Sequence, residues 1–135
     1  MTADTSAVIA ALSAWHEHHE PAAEALADVD ALPGHALTET YAVLTRLPGG
    51  LAVPGPVAAD VLAARFPGAA LRLDRRAERA LPATLAAAGV IGGSSYDGVV
   101  SLQAAAAGEP LITLDTRALT TYRRLGVDAV LIPTG

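Results

Sequence analysis

Apolar positions along the chain switch repeatedly between helical spacing and short unbroken runs. A very short strand at the start passes at once into Ala7, Val8, Ile9, Leu12 and Trp15, whose spacing predicts a helix. A second helix is expected from Pro21 to about Asp28. A third is expected from Ala36 to Leu47, with Leu37, Tyr41, Val43, Leu44 and Leu47 as its apolar members. Pro48 to Pro56 reads as a loop, Val57 to Phe66 as a helix, Ala69 to Leu73 as a strand, and Pro82 to Ala88 as an alanine-rich helix. After the flexible stretch Gly89 to Ser95, Val99, Val100, Leu102, Gln103 and Ala106 predict a helix opened by Asp97. Gly108 and Pro110 stop it. Leu111 to Leu114 is a short buried strand closed by Asp115, Arg117 to Arg124 a helix ended by Gly126, and Ala129 to Ile132 a final strand. Strands alternate with helices, which predicts an α/β fold with a central parallel β-sheet of about four to five strands flanked by helices. At 135 residues the chain is expected to form a single domain, residues 1–135, with no internal repeat.

That order of elements sets acids at corresponding places. Asp4 follows the first strand, Asp115 follows a later one, Asp97 opens a helix, and Glu39 lies in the first turns of another. In an open α/β sheet the carboxyl ends of strands and the amino ends of neighbouring helices border one crevice, where ligands usually sit. Each acid alone has an ordinary explanation. An Asp after a strand caps a helix, an Asp in a first helical turn gains about 0.3–1 kcal/mol from the dipole, and a Glu on a helix is usually solvated. Converging, the carboxylates repel, and a hard divalent cation with oxygen ligands is the natural compensation. With no His or Cys at these positions, Mg²⁺ or Mn²⁺ is favoured over zinc.

Composition narrows the choice. The chain is 52% apolar and 17% charged, which excludes disorder. It has no cysteine, so disulfides, thiolate catalysis and cysteine zinc sites are excluded. No apolar run reaches the roughly 18 residues of a membrane span, and the N-terminus lacks a signal-peptide layout, so a cytoplasmic protein with no membrane partner is expected. The net charge of −5 argues at first against a polyanion. Residues 1–64, however, hold one arginine, Arg46, against eight acids, whereas residues 65–135 hold eight arginines against six acids. Arginine binds phosphate through a planar fork, so the second half is suited to a polyanion, although a genome rich in arginine codons explains the absent lysine equally well. The run His16-Glu17-His18-His19-Glu20 looks like a metal tag, but its adjacent imidazoles diverge and it falls between helices, so no metal site is assigned there.

Three segments carry a resemblance. Asp4-Thr5-Ser6-Ala7 stands at the start, and the middle runs from Ala36-Leu37-Thr38-Glu39-Thr40-Tyr41 to Pro48. Ser95-Tyr96-Asp97-Gly98 and Leu114-Asp115-Thr116-Arg117 stand towards the end. In this order, on an alternating chain of this length, they resemble the PIN-domain family, in particular the VapC ribonuclease toxins of bacterial toxin–antitoxin pairs. The resemblance covers essentially the whole chain. It implies a PIN-like fold and metal-dependent cleavage of RNA, with Asp4, Glu39, Asp97 and Asp115 as the acidic quartet. Asp4 and Asp97 match the positions most directly tied to Mg²⁺ or Mn²⁺, and Glu39 and Asp115 match positions that bind a second ion or water. Thr5, Ser6 and Thr113 match hydroxyls that support those carboxylates, and Arg117 is a candidate phosphate contact. A VapB-like antitoxin and a homodimer are also implied. The apolar residues Val8, Ile9, Leu12 and Trp15 are expected to offer the antitoxin part of its docking face.

Two departures accompany the match. Only Met1, Thr2 and Ala3 precede Asp4, fewer than the family's first strand usually has, and Gly98 stands where alanine is commoner. A phosphoryl-transfer enzyme with Asp4 as nucleophile would call for a lysine, and the chain has none. A catalytically idle PIN-like module that binds RNA or protein is the remaining alternative.

Overall fold

The computed structural model describes residues 1–135. In chain order the elements are β1 (Thr2–Ala3), α1 (Thr5–Leu12), α2 (His19–Ala25), α3 (Gly34–Thr45), α4 (Gly55–Arg65), α5 (Arg75–Arg79), α6 (Leu81–Ala87), α7 (Ser94–Ala106), β2 (Leu111–Thr113), α8 (Thr116–Arg124) and β3 (Ala129–Leu131). The three strands are parallel in the order β1-β2-β3, with Thr2 opposite Leu111 and Leu111 opposite Ala129. Parallel neighbours need long crossovers. Those crossovers are the eight helices that flank the sheet.

Alternation along β2 divides the core. Ile112 faces a cluster built from Ala3, Val8, Leu26, Leu32, Leu62 and Phe66. Its neighbour Leu111 faces the other way, into Ala36, Val100, Ala104, Ala118 and Tyr122. Successive side chains of a strand point to opposite faces, so three residues are enough to anchor α1 and α2 on one side and α7 and α8 on the other. Val8 and Ile9 are buried in the chain's own interior, and Leu12 packs against the same cluster. Of the residues expected to form an open apolar face, only Trp15 is exposed.

The segment 69–73 departs from its expected strand. Leu71 meets Pro33 through one isolated parallel bridge. The Leu71 N–H donates to the Leu32 carbonyl (2.9 Å) and the Gly34 N–H to the Leu71 carbonyl (2.9 Å). Pro33 has no N–H to offer the ladder, and proline is excluded from sheet interiors for that reason.

Helix boundaries move for local reasons. The α2 helix starts at His19, so Pro21 lies within its first turn, where a missing N–H is harmless. The α7 helix begins at Ser94 and takes in the end of the glycine-rich stretch, leaving Asp97 one turn inside. The short α5, which the apolar pattern did not show, is nucleated by Asp74, whose Oδ1 accepts the Ala77 N–H (2.7 Å). Helices α7 and α8 end as expected, before Gly108 and Gly126, both at positive φ (69° and 70°).

Gly98 is explained by close approach. A Cβ at this position would lie 2.5 Å from Leu85 Cδ2 and 3.3 Å from Leu125 Cδ1. Glycine therefore lets α6 and α8 close on α7 just behind Asp97. Gly98→Ala is expected to destabilise the protein by about 1 kcal/mol, because displacing Leu85 outweighs the gain in helix propensity. In a Leu85→Ala background the same change should be stabilising by up to ~1 kcal/mol. Urea unfolding of the four proteins checks the reversal of sign.

Candidate active site

The β1 ladder ends where the Asp4 N–H donates to the Ile112 carbonyl (3.0 Å), and Asp4 then becomes the N-cap of α1. Its carboxylate is buried, at 4% residue exposure, and both oxygens are engaged. Oδ1 accepts the Ser6 hydroxyl (2.6 Å) and the Ala7 N–H (3.1 Å), and Oδ2 accepts the Tyr122 phenol (2.7 Å). Ser6 Oγ also accepts the Leu114 N–H (3.0 Å) and lies 3.3 Å from Thr113 Oγ1. Since the one Ser6 hydroxyl hydrogen is directed at Asp4, Thr113 is the donor to Ser6. Thr113 in turn accepts the Asp115 N–H (3.0 Å). Burial pushes the Asp4 carboxyl above its ordinary range, opposed by these hydrogen bonds from Ser6, Tyr122 and Ala7. Burial, together with the Asp4 charge, pushes the Tyr122 phenol upward too, which keeps it a donor.

Asp115 caps α8, its Oδ1 accepting the N–H groups of Arg117 (2.9 Å) and Ala118 (3.2 Å). Glu39 rises from α3 with His35 one turn before it, the His35 Nε2 to Glu39 Oε2 distance being 3.7 Å. The His35 ring stacks on Tyr96, with centroids 5.5 Å apart and planes 8° from parallel, and so ties the start of α3 to the residue before Asp97. Asp97 is half-buried on α7, and its carboxyl is pushed up to about 6, first by burial and then by the charges of Glu39, Asp4 and Asp115.

All four predicted acids line one cleft of about 640 Å³. Thr5, Ser6 and Arg117 line it as well, while Thr113 stands behind it, fully buried. Two of the acids, Asp4 and Asp115, are fixed by main-chain donors. Asp97 and Glu39 accept no hydrogen bond and are free to adjust.

The donor set suits a hard divalent cation, being carboxylate and hydroxyl oxygen throughout. Thr5 Oγ1 is buried without a partner, a polar atom left over at the cleft. Asp97 carries repulsion from three neighbours that a cation would relieve. No three acids or imidazoles sit close enough to form a finished coordination cluster, since the carboxylates repel one another.

The family follows from a direct match. Residues 1–124 match the model of the PIN domain, and the chain belongs to the PIN-domain family. Within it the chain falls with the VapC proteins. It is 42% identical over 134 residues to Ribonuclease VapC40 of Mycobacterium tuberculosis, covering 96% of each chain. It is also 44% identical over 121 residues to Ribonuclease VapC27 of the same organism, covering 90% of this chain and 81% of that one.

Tyr122 was missed in the sequence, although a signal existed. Ala118, Leu119 and Tyr122 form the buried face of α8, and a buried phenol nearly always has a partner. His16, Glu17 and His18, set aside as an inter-helix run, also line the cleft.

Two outcomes check this geometry. Tyr122→Phe leaves a buried Asp4 oxygen without its donor and should destabilise the protein by about 1–2 kcal/mol in urea unfolding. The second concerns pH without metal. The folded pKa of Asp97, about 6, lies above the ordinary value of 3.8, so the associated stability is full at low pH and lost as pH rises through about 6. Asp97→Asn in chelator should therefore be more stable than wild type at neutral pH, with an advantage that shrinks below pH 6 and vanishes near pH 4. An advantage independent of pH would contradict it.

Proposed function

We propose that this chain is a Mg²⁺- or Mn²⁺-dependent endoribonuclease, the toxin of a toxin–antitoxin pair. The observation that carries the reading is the convergence of Asp4, Glu39, Asp97 and Asp115, drawn from distant segments, on one cleft. The ribonuclease names of its VapC relatives support the substrate class. Asp4, Glu39, Asp97 and Asp115 would hold the cation, and Thr5 and Ser6 would support them. A bound divalent ion supplies an acidified water and charge neutralisation at phosphoryl oxygens. Asp4 and Asp115 would give the cation fixed anchor points, Asp97 and Glu39 would complete its ligands, and Arg117, exposed at the cleft edge, would take a substrate phosphate. None of the nine arginines is in an ion pair with a protein carboxylate; Arg65 is tied to the Leu26 and Val29 carbonyls and Arg124 to that of Gly89, and the others are available to a polyanion.

The partner reading rests on the VapC likeness: a VapB-like antitoxin and a symmetric homodimer, acting in the cytoplasm. No helix is long and apolar enough to cross a membrane. With Val8 and Ile9 buried, exposed apolar surface is found instead at Tyr41, Leu51, Val57 and Val61 around α3 and α4. The competing reading, an idle binding module, draws on the full engagement of the Asp4 oxygens.

Cleavage of a single-stranded RNA with purified protein separates the two. The nuclease should need Mg²⁺ or Mn²⁺, and Asp97→Asn should lower the rate at least about 100-fold with the fold intact. Undiminished cleavage in excess chelator overturns the metal mechanism. Absence of cleavage together with absence of Mn²⁺ binding by calorimetry favours the idle module. Expression of wild type alone should arrest growth, and Asp97→Asn should not.

A further inference from the structure

The turn between α1 and α2 forms one wall of the cleft, and the quartet gives it no role. Its side chains make a row of rings. Trp15 is 51% exposed beside the cleft, its ring centroid 5.7 Å from that of His16 with the planes tilted by 39°, and the His16 centroid lies 5.9 Å from that of His18 with a tilt of 49°. His16 and His18 line the cleft that holds the four carboxylates, so the row leads from solvent to the site.

The turn is held in shape. The His16 N–H donates to Ser13 O (2.9 Å) and the His19 N–H to His16 O (3.1 Å). The His19 ring meets the Ala10 carbonyl through Nδ1 (2.9 Å), which fixes the turn to α1 and requires the hydrogen on that nitrogen. His16 Nδ1 accepts the His18 N–H (3.0 Å), so a neutral His16 carries its hydrogen on Nε2 and offers a donor. Platforms fixed before binding lose little entropy on ligation.

Glu17 decides which part of a nucleotide suits this wall. Its exposed carboxylate also lines the cleft, 3.5 Å from His18 Nε2, and would repel a phosphate. A nucleobase is uncharged, has two π-faces for Trp15 and the imidazoles, and has ring acceptors for the His16 donor. Stacking of unpaired bases on exposed aromatics is how single-stranded nucleic acid is commonly gripped.

We infer that Trp15, His16 and His18 form a base-stacking platform for one unpaired nucleotide next to the scissile phosphate, and so restrict cleavage to RNA whose base can be splayed out. The inference rests on the nuclease reading. The platform residues position substrate and take no part in bond cleavage.

Trp15 is the only tryptophan, so its fluorescence reports the platform alone. The test titrates a single-stranded RNA oligonucleotide, in Mg²⁺, into Asp97→Asn protein, which keeps three of the four carboxylates for the cation and should cleave at least about 100-fold more slowly. Binding should quench Trp15. Adding Trp15→Ala to that background should weaken affinity by roughly 5- to 100-fold, measured by anisotropy of labelled RNA, with Trp15→Phe recovering most of the loss. His16→Gln, which keeps an N–H donor, should bind better than His16→Ala. An oligonucleotide with one abasic position should lose affinity for the Trp15 protein and lose clearly less for the Trp15→Ala protein at the position that stacks. Unaltered affinity in Trp15→Ala, with wild type still cleaving RNA, overturns the platform alone and leaves Trp15 to a protein partner. An abasic scan whose losses are the same in both proteins also overturns it. RNA that is neither bound nor cut by any of the proteins overturns the nuclease reading and the platform together.

Discussion

The buried Asp4 carboxylate is the constraint on which the rest of the structure depends. Its three donors come from α1, through Ser6 and Ala7, and from α8, through Tyr122. Ser6 extends the network to β2 through Thr113 and Leu114. One side chain therefore joins both faces of the sheet at the carboxyl ends of β1 and β2. A buried carboxylate without donors is far more costly than a buried apolar group, so each of these partners is locked to the others' positions. Removing any one leaves a polar atom stranded. The same bonds that satisfy Asp4 also aim it at the cleft, which makes structural anchor and candidate ligand the same residue.

Around that anchor the site is built against its own electrostatics. Asp97 sits where burial and then three other carboxylates disfavour its charge, and its raised pKa records the conflict. A chain selected only for stability would not keep such a group. Local conflicts that persist in an otherwise consistent fold are expected at functional positions. The conflict is also divided sensibly. The two acids at strand ends are tied to backbone N–H groups, and the two on helix surfaces carry no hydrogen bond. A cation entering the cleft would thus find half of its ligands in place and half able to move.

Much of this was legible in the sequence, and the failures have physical reasons. Period-3.6 runs such as Ala36 to Leu47 found their helices because burial on one face is what stabilises them. Gly108 and Gly126 marked helix ends because positive φ selects glycine. The quartet was legible because helix starts and strand ends converge in any parallel sheet. The segment 69–73 misled because its apolar run was suited to a strand, while the limit lay in the partner of Leu71, Pro33, 38 residues earlier (71 − 33). Tyr122 and the His16 to His18 turn were not found for a related reason. Their roles depend on what lies across the cleft, and no local spacing encodes that. Gly98 shows the opposite case, since an apparent weakness in a helix is the room that Leu85 occupies.

Charge gives the last step. On the proposed reading, a polyanionic substrate must enter a cleft lined by four carboxylates, in a chain of net charge −5. Long-range attraction from the whole protein cannot draw it in. Attraction has to come from the arginines, which lie almost wholly in residues 65–135, and from contacts indifferent to charge, of which an exposed aromatic beside the cleft is one. Within the cleft the carboxylates and the phosphate repel unless a cation separates them. Cation and RNA then each favour binding of the other, and linkage requires the two effects to be equal in size. The acids that look unsuited to a nucleic-acid partner thereby become a condition on it: without metal the site rejects the backbone, and with metal it draws the backbone to the point where the acids are arranged.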